Sequence, residues 1–132
     1  MLDKLNLPTQ INIDDFSIIK REHNHDSSLW QIIQEHKDII GKYLPWPYQI
    51  NSPKDLYNKT EEIIAECEDG SKYYYCIADK NKNLIGAVYV LNIDYKNHNA
   101  EFGYWLIPTQ TGKGYITKSV ETLAEELFKK NI

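Results

Sequence analysis

The sequence predicts a single α+β domain over residues 1–132, in which helices flank a twisted, mostly antiparallel sheet. Three observations support this fold class. The 132 residues, 42% apolar and 26% charged, suffice for one compact core. The apolar pattern changes from a helical period in the first half to strand-like runs between Tyr73 and Ile107. The turns between those runs are too short for a crossover helix, so the strands must be antiparallel neighbours.

The first half of the chain predicts one strand followed by helices. Alternation over Phe16–Arg21 indicates a strand after a polar lead-in. Asp26 or Ser27 suits the N-cap of the next helix, whose apolar residues recur at the helical period. A short second helical piece, Asp38–Tyr43, should stop before the prolines that follow it.

The next helix is predicted from the residues at its two ends. Ser52 and Pro53 have the order of an N-cap and a first helical residue, and Asp69-Gly70 ends the segment. The elements expected after it are strands over Tyr73–Ala78, Leu84–Ile93 and Ala100–Ile107 and a last amphipathic helix over Gly114–Lys130. Tyr73, Tyr74 and Tyr75 must point alternately to the two faces of their strand, and we expect only one or two of them in the core.

The segment between the last strand and the last helix is the strongest indication of function. Gly112 and Gly114 form a Gly-X-Gly turn that opens a helix. The first amides of a helix have no internal partner and carry partial positive charge, and glycine lets a ligand approach the main chain closely. The turn therefore predicts a site for a phosphate or diphosphate.

Two common phosphate-binding motifs fit this turn poorly. A Walker loop needs Gly-Lys-Ser or Gly-Lys-Thr after a longer glycine spacing, which Gly112-Lys113-Gly114 does not supply. A dinucleotide fingerprint needs a third glycine or alanine where this chain has Thr117, and it normally lies within an opening βαβ unit.

A third class fits better. Glu101-Phe-Gly-Tyr-Trp-Leu-Ile-Pro, followed by Gly112-Lys-Gly-Tyr-Ile-Thr-Lys, resembles the central motif of the GNAT superfamily of acyl-CoA-dependent N-acyltransferases. The resemblance extends from Phe16 to the end of the chain. Thr109 and Thr111 depart from the family pattern, which favours Gln or Arg at the first position and, in close relatives, Gln at the second. The segments that resemble the Rim-type branch, the ribosomal-protein N-terminal acetyltransferases, are Leu44-Pro45-Trp46, Ser52-Pro53-Lys54-Asp55 and Asn83-Leu-Ile-Gly-Ala-Val.

The resemblance implies a GNAT-like fold and direct transfer of an acetyl group from acetyl-CoA to a primary amine, either a protein N-terminus or a small amine. It implies that the N–H groups of Lys113, Gly114 and Tyr115 hold the diphosphate of the cofactor, with Gly112 allowing its approach. It also implies that the main chain at Leu106 and Ile107 pairs with the pantetheine arm.

The resemblance also suggests the catalytic and acceptor sides of the site. Glu101 matches a position at which several GNAT enzymes place a carboxylate, so it is the candidate general base; the alternative is a solvated carboxylate at a strand end. Pro45, Trp46 and Tyr48 are candidates for the wall of the amine site, the alternative being a Trp46 packed under its own loop.

The family domain continues through another strand, a helix and a hairpin, so we expect a C-terminally truncated GNAT domain that lacks its C-terminal strands. A homodimer or strand exchange is a possible completion of the sheet. The alternative to an enzyme is a truncated or degenerate GNAT-fold protein that binds CoA or a partner chain without catalysis.

Composition argues against other classes of function. A net charge of −4 without a basic stripe argues against nucleic-acid binding. No apolar run approaches the roughly 18 residues of a membrane span, and the start lacks the order of a signal peptide, so we expect a cytoplasmic protein. Cys67, Cys76 and the four histidines show no metal-binding spacing.

Overall fold

A computed structural model describes residues 5–42 and 49–132 of the chain. Five strands and three α-helices make up this part. In chain order they are β1 (Gln10–Ile13), β2 (Phe16–Lys20), α1 (Asp26–Gly41), α2 (Pro53–Asp69), β3 (Tyr73–Ala78), β4 (Leu84–Asp94), β5 (Asn99–Leu106) and α3 (Tyr115–Lys129). Short 3₁₀ turns precede α1, at His23–His25, and follow β5, at Pro108–Gln110.

The sheet confirms the predicted antiparallel arrangement. Its strands lie in chain order, β1-β2-β3-β4-β5, and each is antiparallel to its neighbours. Within the described residues, β5 is therefore an edge strand. The sequence did not predict β1, because its polar Gln10 and Asn12 alternate with two isoleucines over only four residues. Such a short edge strand has a weak apolar pattern.

The start and length of α1 correct two expectations. The segment expected as a separate piece, Asp38–Tyr43, is in its described part the end of α1, which runs unbroken to Gly41. No proline or glycine interrupts the helix before that residue, so nothing breaks it at Asp38. Neither Asp26 nor Ser27 is the N-cap: His25 holds that position without a side-chain cap bond, and Asp26 is the first helical residue.

The boundaries of α2 follow the prediction. Ser52 is the N-cap, and its Oγ accepts a hydrogen bond from the Asp55 N–H at 3.1 Å. Pro53 is the first helical residue, where a missing N–H costs nothing. Gly70 ends the helix in the left-handed conformation, with φ of 81°.

Helices cover both faces of the sheet and give two cores. On one face, Leu123 and Leu127 of α3 pack against Tyr73 and Tyr75. On the other face, α1 and α2 pack against Tyr74. All three tyrosines are buried, so the expectation that only one or two would lie in the core is wrong. A strand covered on both faces has no exposed side, and the predicted α+β layer arrangement is confirmed.

None of the helices in residues 5–42 and 49–132 is both long and apolar enough to cross a membrane.

Candidate functional site

A cavity of about 620 Å³ lies where β5 ends and α3 begins. Its lining combines the last residues of the edge strand, the glycine turn, the first turn of α3 and the far end of α1. The lining residues are Ile39, Ile40, Tyr104, Trp105, Leu106, Pro108, Thr111, Gly112, Gly114, Tyr115, Ile116 and Thr117. The predicted turn is thus part of a concave surface.

The two glycines of the turn have backbone conformations that favour glycine. Gly112 has φ of 79° and Gly114 has φ of 83°, both in the left-handed region. A Cβ built on Gly112 would meet no atom within 4 Å, and one on Gly114 would meet only the end of the Lys118 side chain at 4.0 Å. The space beside both residues is open, so it is free for a ligand.

The start of α3 leaves backbone donors at the cavity. Gly114 is the N-cap, and no side-chain cap bond is made there within the described chain. The first turn closes with the Lys118 N–H donating to the Gly114 carbonyl at 3.0 Å. The N–H groups of Tyr115, Ile116 and Thr117 precede that bond, so the helix gives them no acceptor. These three residues line the cavity, where aligned N–H groups favour an anion.

The backbone N–H and C=O groups of β5 point alternately towards β4 and towards the free edge of the sheet. The Ile107 N–H donates to the Ile85 carbonyl at 2.8 Å, and the Ile107 carbonyl accepts from the Gln110 N–H at 3.0 Å. Because successive residues of an antiparallel strand direct their polar groups to alternate sides, the backbone groups of Leu106 and Tyr104 face away from β4. Leu106 lines the cavity, whereas Ile107 does not and has its main chain engaged within the protein.

The inner wall of the cavity rests on a buried polar contact. The Trp105 side chain, 4% exposed, donates from Nε1 to the Tyr74 hydroxyl at 3.0 Å. The Arg21 guanidinium lies 5.0 Å from the centre of the Tyr74 ring. Burial raises the pKa of Tyr74 well above its ordinary value, so its hydroxyl stays protonated. The contact fixes the indole that forms this wall.

Of the residues predicted to bind the cofactor, Tyr115 lies at the cavity and Lys113 does not. Tyr115 lines the cavity and packs its ring edge-on against Phe16, with ring centres 5.0 Å apart. The Lys113 side chain is exposed and donates from Nζ to Gln110 Oε1 at 3.3 Å. Lys113 is not among the lining residues, so the predicted contact of its backbone N–H with the cofactor stays a prediction.

Glu101 lies towards the other end of β5. Its carboxylate is exposed and accepts a hydrogen bond from Asn92 Nδ2 at 2.8 Å. The nearest lining residue on the same strand is Tyr104, three positions and about 10 Å further along. Asn92 borders a second, polar depression that also includes Glu66 and Asp69. The structure thus separates the candidate base from the glycine turn along the strand.

The predicted acceptor wall, Pro45, Trp46 and Tyr48, lies outside the described residues, and its role stays a prediction. Within residues 5–42 and 49–132, no three His, Cys, Asp or Glu side chains are grouped so that they could hold a metal ion.

The sequence did not identify several residues of the cavity. Trp105 and Tyr104 stand directly before Leu106, so the pattern of the strand contained the signal for them. Ile39 and Ile40 carried no such signal, because their place at the cavity depends on how α1 packs against the sheet. Ile39 is 51% exposed, although an isoleucine in a helix is ordinarily expected in the core.

Comparison with known proteins establishes the class. A family model described as acetyltransferase (GNAT) domain matches residues 18–131, and the chain belongs to that family. The expected fold is confirmed with it.

The chain is also similar to particular acetyltransferases. It is 29% identical over 100 residues to the ribosomal-protein-serine acetyltransferase of Escherichia coli (strain K12), a match covering 76% of this chain and 55% of that protein. It is 29% identical over 84 residues to the spermidine N(1)-acetyltransferase of Vibrio cholerae, covering 63% and 45%. The chain therefore spans about half the length of these relatives.

Solved structures agree in fold. The microcin C7 self-immunity acetyltransferase MccE, in complex with acetyl-CoA and AMP, superposes with a TM-score of 0.84 at 25% identity, covering 91% of this chain and 67% of that one. RimL, the ribosomal L7/L12 alpha-N-protein acetyltransferase in complex with coenzyme A, gives 0.80 at 22% identity, covering 89% and 64%. The predicted likeness to the Rim-type branch is confirmed by the match to the ribosomal-protein-serine acetyltransferase.

Proposed function

We propose that this chain carries the cofactor site of an acetyl-CoA-dependent N-acetyltransferase that acts on a primary amine. The observation that carries the proposal is the cavity at the start of α3, where uncapped helix amides and two left-handed glycines border open space. Family membership supports it, as does a solved relative whose complex contains acetyl-CoA.

In this proposal the cofactor lies along the free edge of β5. The N–H groups from Lys113 to Thr117 hold its diphosphate, and Gly112 and Gly114 admit it to the main chain. The outward backbone groups of Leu106 pair with the pantetheine arm. The thioester then points along the strand towards Glu101, which lies on β5 beyond the cavity.

The reaction requires a deprotonated amine. Glu101 takes a proton from the acceptor ammonium, and the amine nitrogen attacks the thioester carbonyl carbon. Collapse of the tetrahedral intermediate breaks the C–S bond; the CoA thiolate leaves and takes up the proton that the nitrogen loses as the amide forms. Glu101 is exposed and accepts a hydrogen bond from a neutral amide, that of Asn92, so its carboxylate is accessible to an acceptor from solvent.

The substitution Glu101→Gln tests this role. Without the carboxylate, only amine molecules that have already lost their proton react, and their fraction falls about tenfold for each pH unit below the amine pKa. The expected result is a loss of turnover that deepens as pH is lowered, with little change in acetyl-CoA affinity. Glu121→Gln, which removes an exposed carboxylate of α3, is the matched control. Equal rates for both variants across the pH range would exclude Glu101 as the base.

For the acceptor we propose the class of primary amines that includes protein N-termini and polyamines. The two curated relatives are named for a ribosomal-protein serine and for spermidine. Both acceptors present a primary amine, and the chain has a net negative charge of −4, which favours a cationic acceptor.

The second candidate function is a GNAT-fold protein that binds CoA or a partner chain without catalysis. The observation that favours it is the free edge of β5, which leaves a row of unpaired backbone groups beside the cavity within the described residues. A second copy could cover that edge by pairing or by strand exchange.

Two measurements separate the candidates. Calorimetry with acetyl-CoA measures cofactor binding, and release of free thiol in the presence of a panel of amines measures transfer. Binding with amine-dependent thiol release supports the enzyme. Binding without thiol release at any pH supports the second candidate. Absence of acetyl-CoA binding contradicts the enzyme and also the CoA-binding protein without catalysis.

A further inference from the structure

His23 lies between the start of α1 and the middle of α2 and contacts both. Its Nδ1 is 2.9 Å from Asp26 Oδ2, and its Nε2 is 2.5 Å from Glu61 Oε1. The ring also stacks on Tyr57 of α2, with ring centres 4.2 Å apart and planes 17° from parallel. These four residues form what we call the His23 clasp.

The geometry of the clasp requires a charged imidazole. A neutral imidazole carries one N–H, and an ionised carboxylate only accepts hydrogen bonds. Both ring nitrogens face carboxylate oxygens, so both must carry a proton if both bonds are made. The bond to Asp26 and then the bond to Glu61 raise the pKa of His23 above its ordinary value.

Behind the clasp lies a buried chain of hydrogen bonds. Thr60 Oγ1 donates to Asp26 Oδ1 at 2.6 Å, and Arg21 Nη2 donates to Thr60 Oγ1 at 2.9 Å. Arg21 is 6% exposed and Thr60 is fully buried. The cations Arg21 and protonated His23 thus offset the carboxylates of Asp26 and Glu61, and a neutral His23 leaves one negative charge unmatched.

Other titratable groups beside His23 are Tyr57 of α2, on which the ring stacks, and Glu22 and His25 of its own turn. His25 Nδ1 accepts a hydrogen bond from the Glu22 N–H at 3.0 Å, which requires that nitrogen to be unprotonated. Burial lowers the pKa of His25. Two histidines two residues apart are therefore held in opposite states, His23 charged and His25 neutral.

We propose that His23 is a proton-operated clasp, in which the imidazolium ties the start of α1 to the middle of α2 and loss of its proton breaks the hydrogen bond to one of the two helices. The device lies outside the cavity and does not depend on the proposed acetyl transfer.

The direction of its pH dependence follows from the geometry. A group whose pKa is raised by folding stabilises the folded state fully below its ordinary value of 6.5, and this contribution is lost as pH rises through the raised pKa. His25 has the opposite sign: its contribution is present above 6.5 and is lost as pH falls through its lowered pKa. The two contributions together stabilise the folded state most at a pH between the folded-state pKa of His25 and that of His23.

Imidazole titration followed by NMR tests the clasp directly. The expected midpoint of His23 is above that of His25 in the same chain. Glu61→Gln removes the charge of one partner and is expected to lower the His23 midpoint. Glu62→Gln, the next residue of α2, whose exposed carboxylate pairs with Lys59, is the matched control and is expected to leave it unchanged. A His23 midpoint at or below that of His25, or equal shifts in both variants, would overturn the proposal.

Thermal unfolding gives a second readout. His23→Gln keeps a neutral donor but cannot hold a proton, so it is expected to unfold at a lower temperature than the parent chain at pH 6 and at the same temperature at pH 9. Glu61→Gln should follow the same pattern. A loss that is equal at both pH values would show a contact that works without the proton and would also overturn the proposal.

Discussion

At the scale of single residues, the glycines of the turn combine a special backbone conformation with access to the cavity. Gly112 and Gly114 both have positive φ; a Cβ on Gly112 would meet no atom within 4 Å, and one on Gly114 would meet only the Lys118 side chain at 4.0 Å. Within the protein, their requirement for glycine therefore comes from the backbone conformation, and the open space beside them is available to a ligand. Sequence alone predicted both residues, because Gly-X-Gly before an amphipathic helix is a local signal.

Gly114→Leu tests the importance of that space. A left-handed non-glycine residue costs roughly 1–2 kcal/mol, which the fold should tolerate, whereas the new side chain should occupy the place proposed for the diphosphate. The expected result in calorimetry is loss of measurable acetyl-CoA binding with only a modest fall in unfolding temperature. Thr109→Leu, in the exposed turn beside the cavity, is the control and should retain binding. Unchanged affinity in Gly114→Leu would contradict the proposed site.

Burial determines how reactive the thiol of Cys76 is. Burial raises the pKa of its thiol to about 12, so almost none of the reactive thiolate is present at pH 8. In a Cys67→Ala chain, Cys76 is the remaining cysteine, and it should not react with a thiol reagent until the protein is denatured. Colorimetric titration of the native and denatured states measures this. Rapid reaction of the native variant would show that the strand opens readily.

At the scale of elements, local signals predicted α2 best. Ser52, Pro53 and Gly70 specify its ends through hydrogen bonding and backbone conformation that depend on few distant residues. The start of α1 was predicted wrongly for the opposite reason. The Asp26 carboxylate binds His23 and Thr60, a side chain 34 residues away, instead of capping its own helix, and no local pattern contains that contact.

Ser52→Ala removes the cap of α2. The Asp55 N–H would lose its acceptor, and the expected cost is about 1 kcal/mol of unfolding free energy. Chemical denaturation of the two chains measures the difference. Ser28→Ala, at an exposed position in the first turn of α1, is the matched control and should be neutral or slightly stabilising, because alanine has the higher helix propensity. An equal effect of the two substitutions would show that the Ser52 hydroxyl does not stabilise the helix.

The close pairing of β4 and β5 is a further constraint that the sequence does not show. A Cβ on Gly103 would lie 2.1 Å from the Tyr89 ring, which covers that glycine. Gly103→Ala is therefore expected to displace the ring and to destabilise the protein by roughly 1–3 kcal/mol. Combining it with Tyr89→Ala should recover part of that loss in a double-mutant cycle, and additive losses in denaturation experiments would contradict the steric explanation.

At the scale of the whole molecule, the sheet brings together parts of the site that are distant in sequence. The glycine turn and the end of β5 are adjacent in the chain, and sequence predicted them together. Ile39 and Ile40 reach the same cavity only because α1 packs on the sheet face that also buries Trp105. Glu101, in turn, shares β5 with the cavity but lies about 10 Å from Tyr104 at its rim. Tertiary packing, which the chain pattern does not encode locally, decided these placements.

The central claim is that the main chain from Gly112 to Thr117 binds the diphosphate of coenzyme A. Backbone amide resonances recorded during titration with CoA, and in parallel with pantetheine, which lacks the diphosphate, test it most directly. The account predicts saturable shifts of the amides of residues 112–117 with CoA and none of comparable size with pantetheine. Equal shifts with both compounds, or shifts confined to other residues, would contradict it.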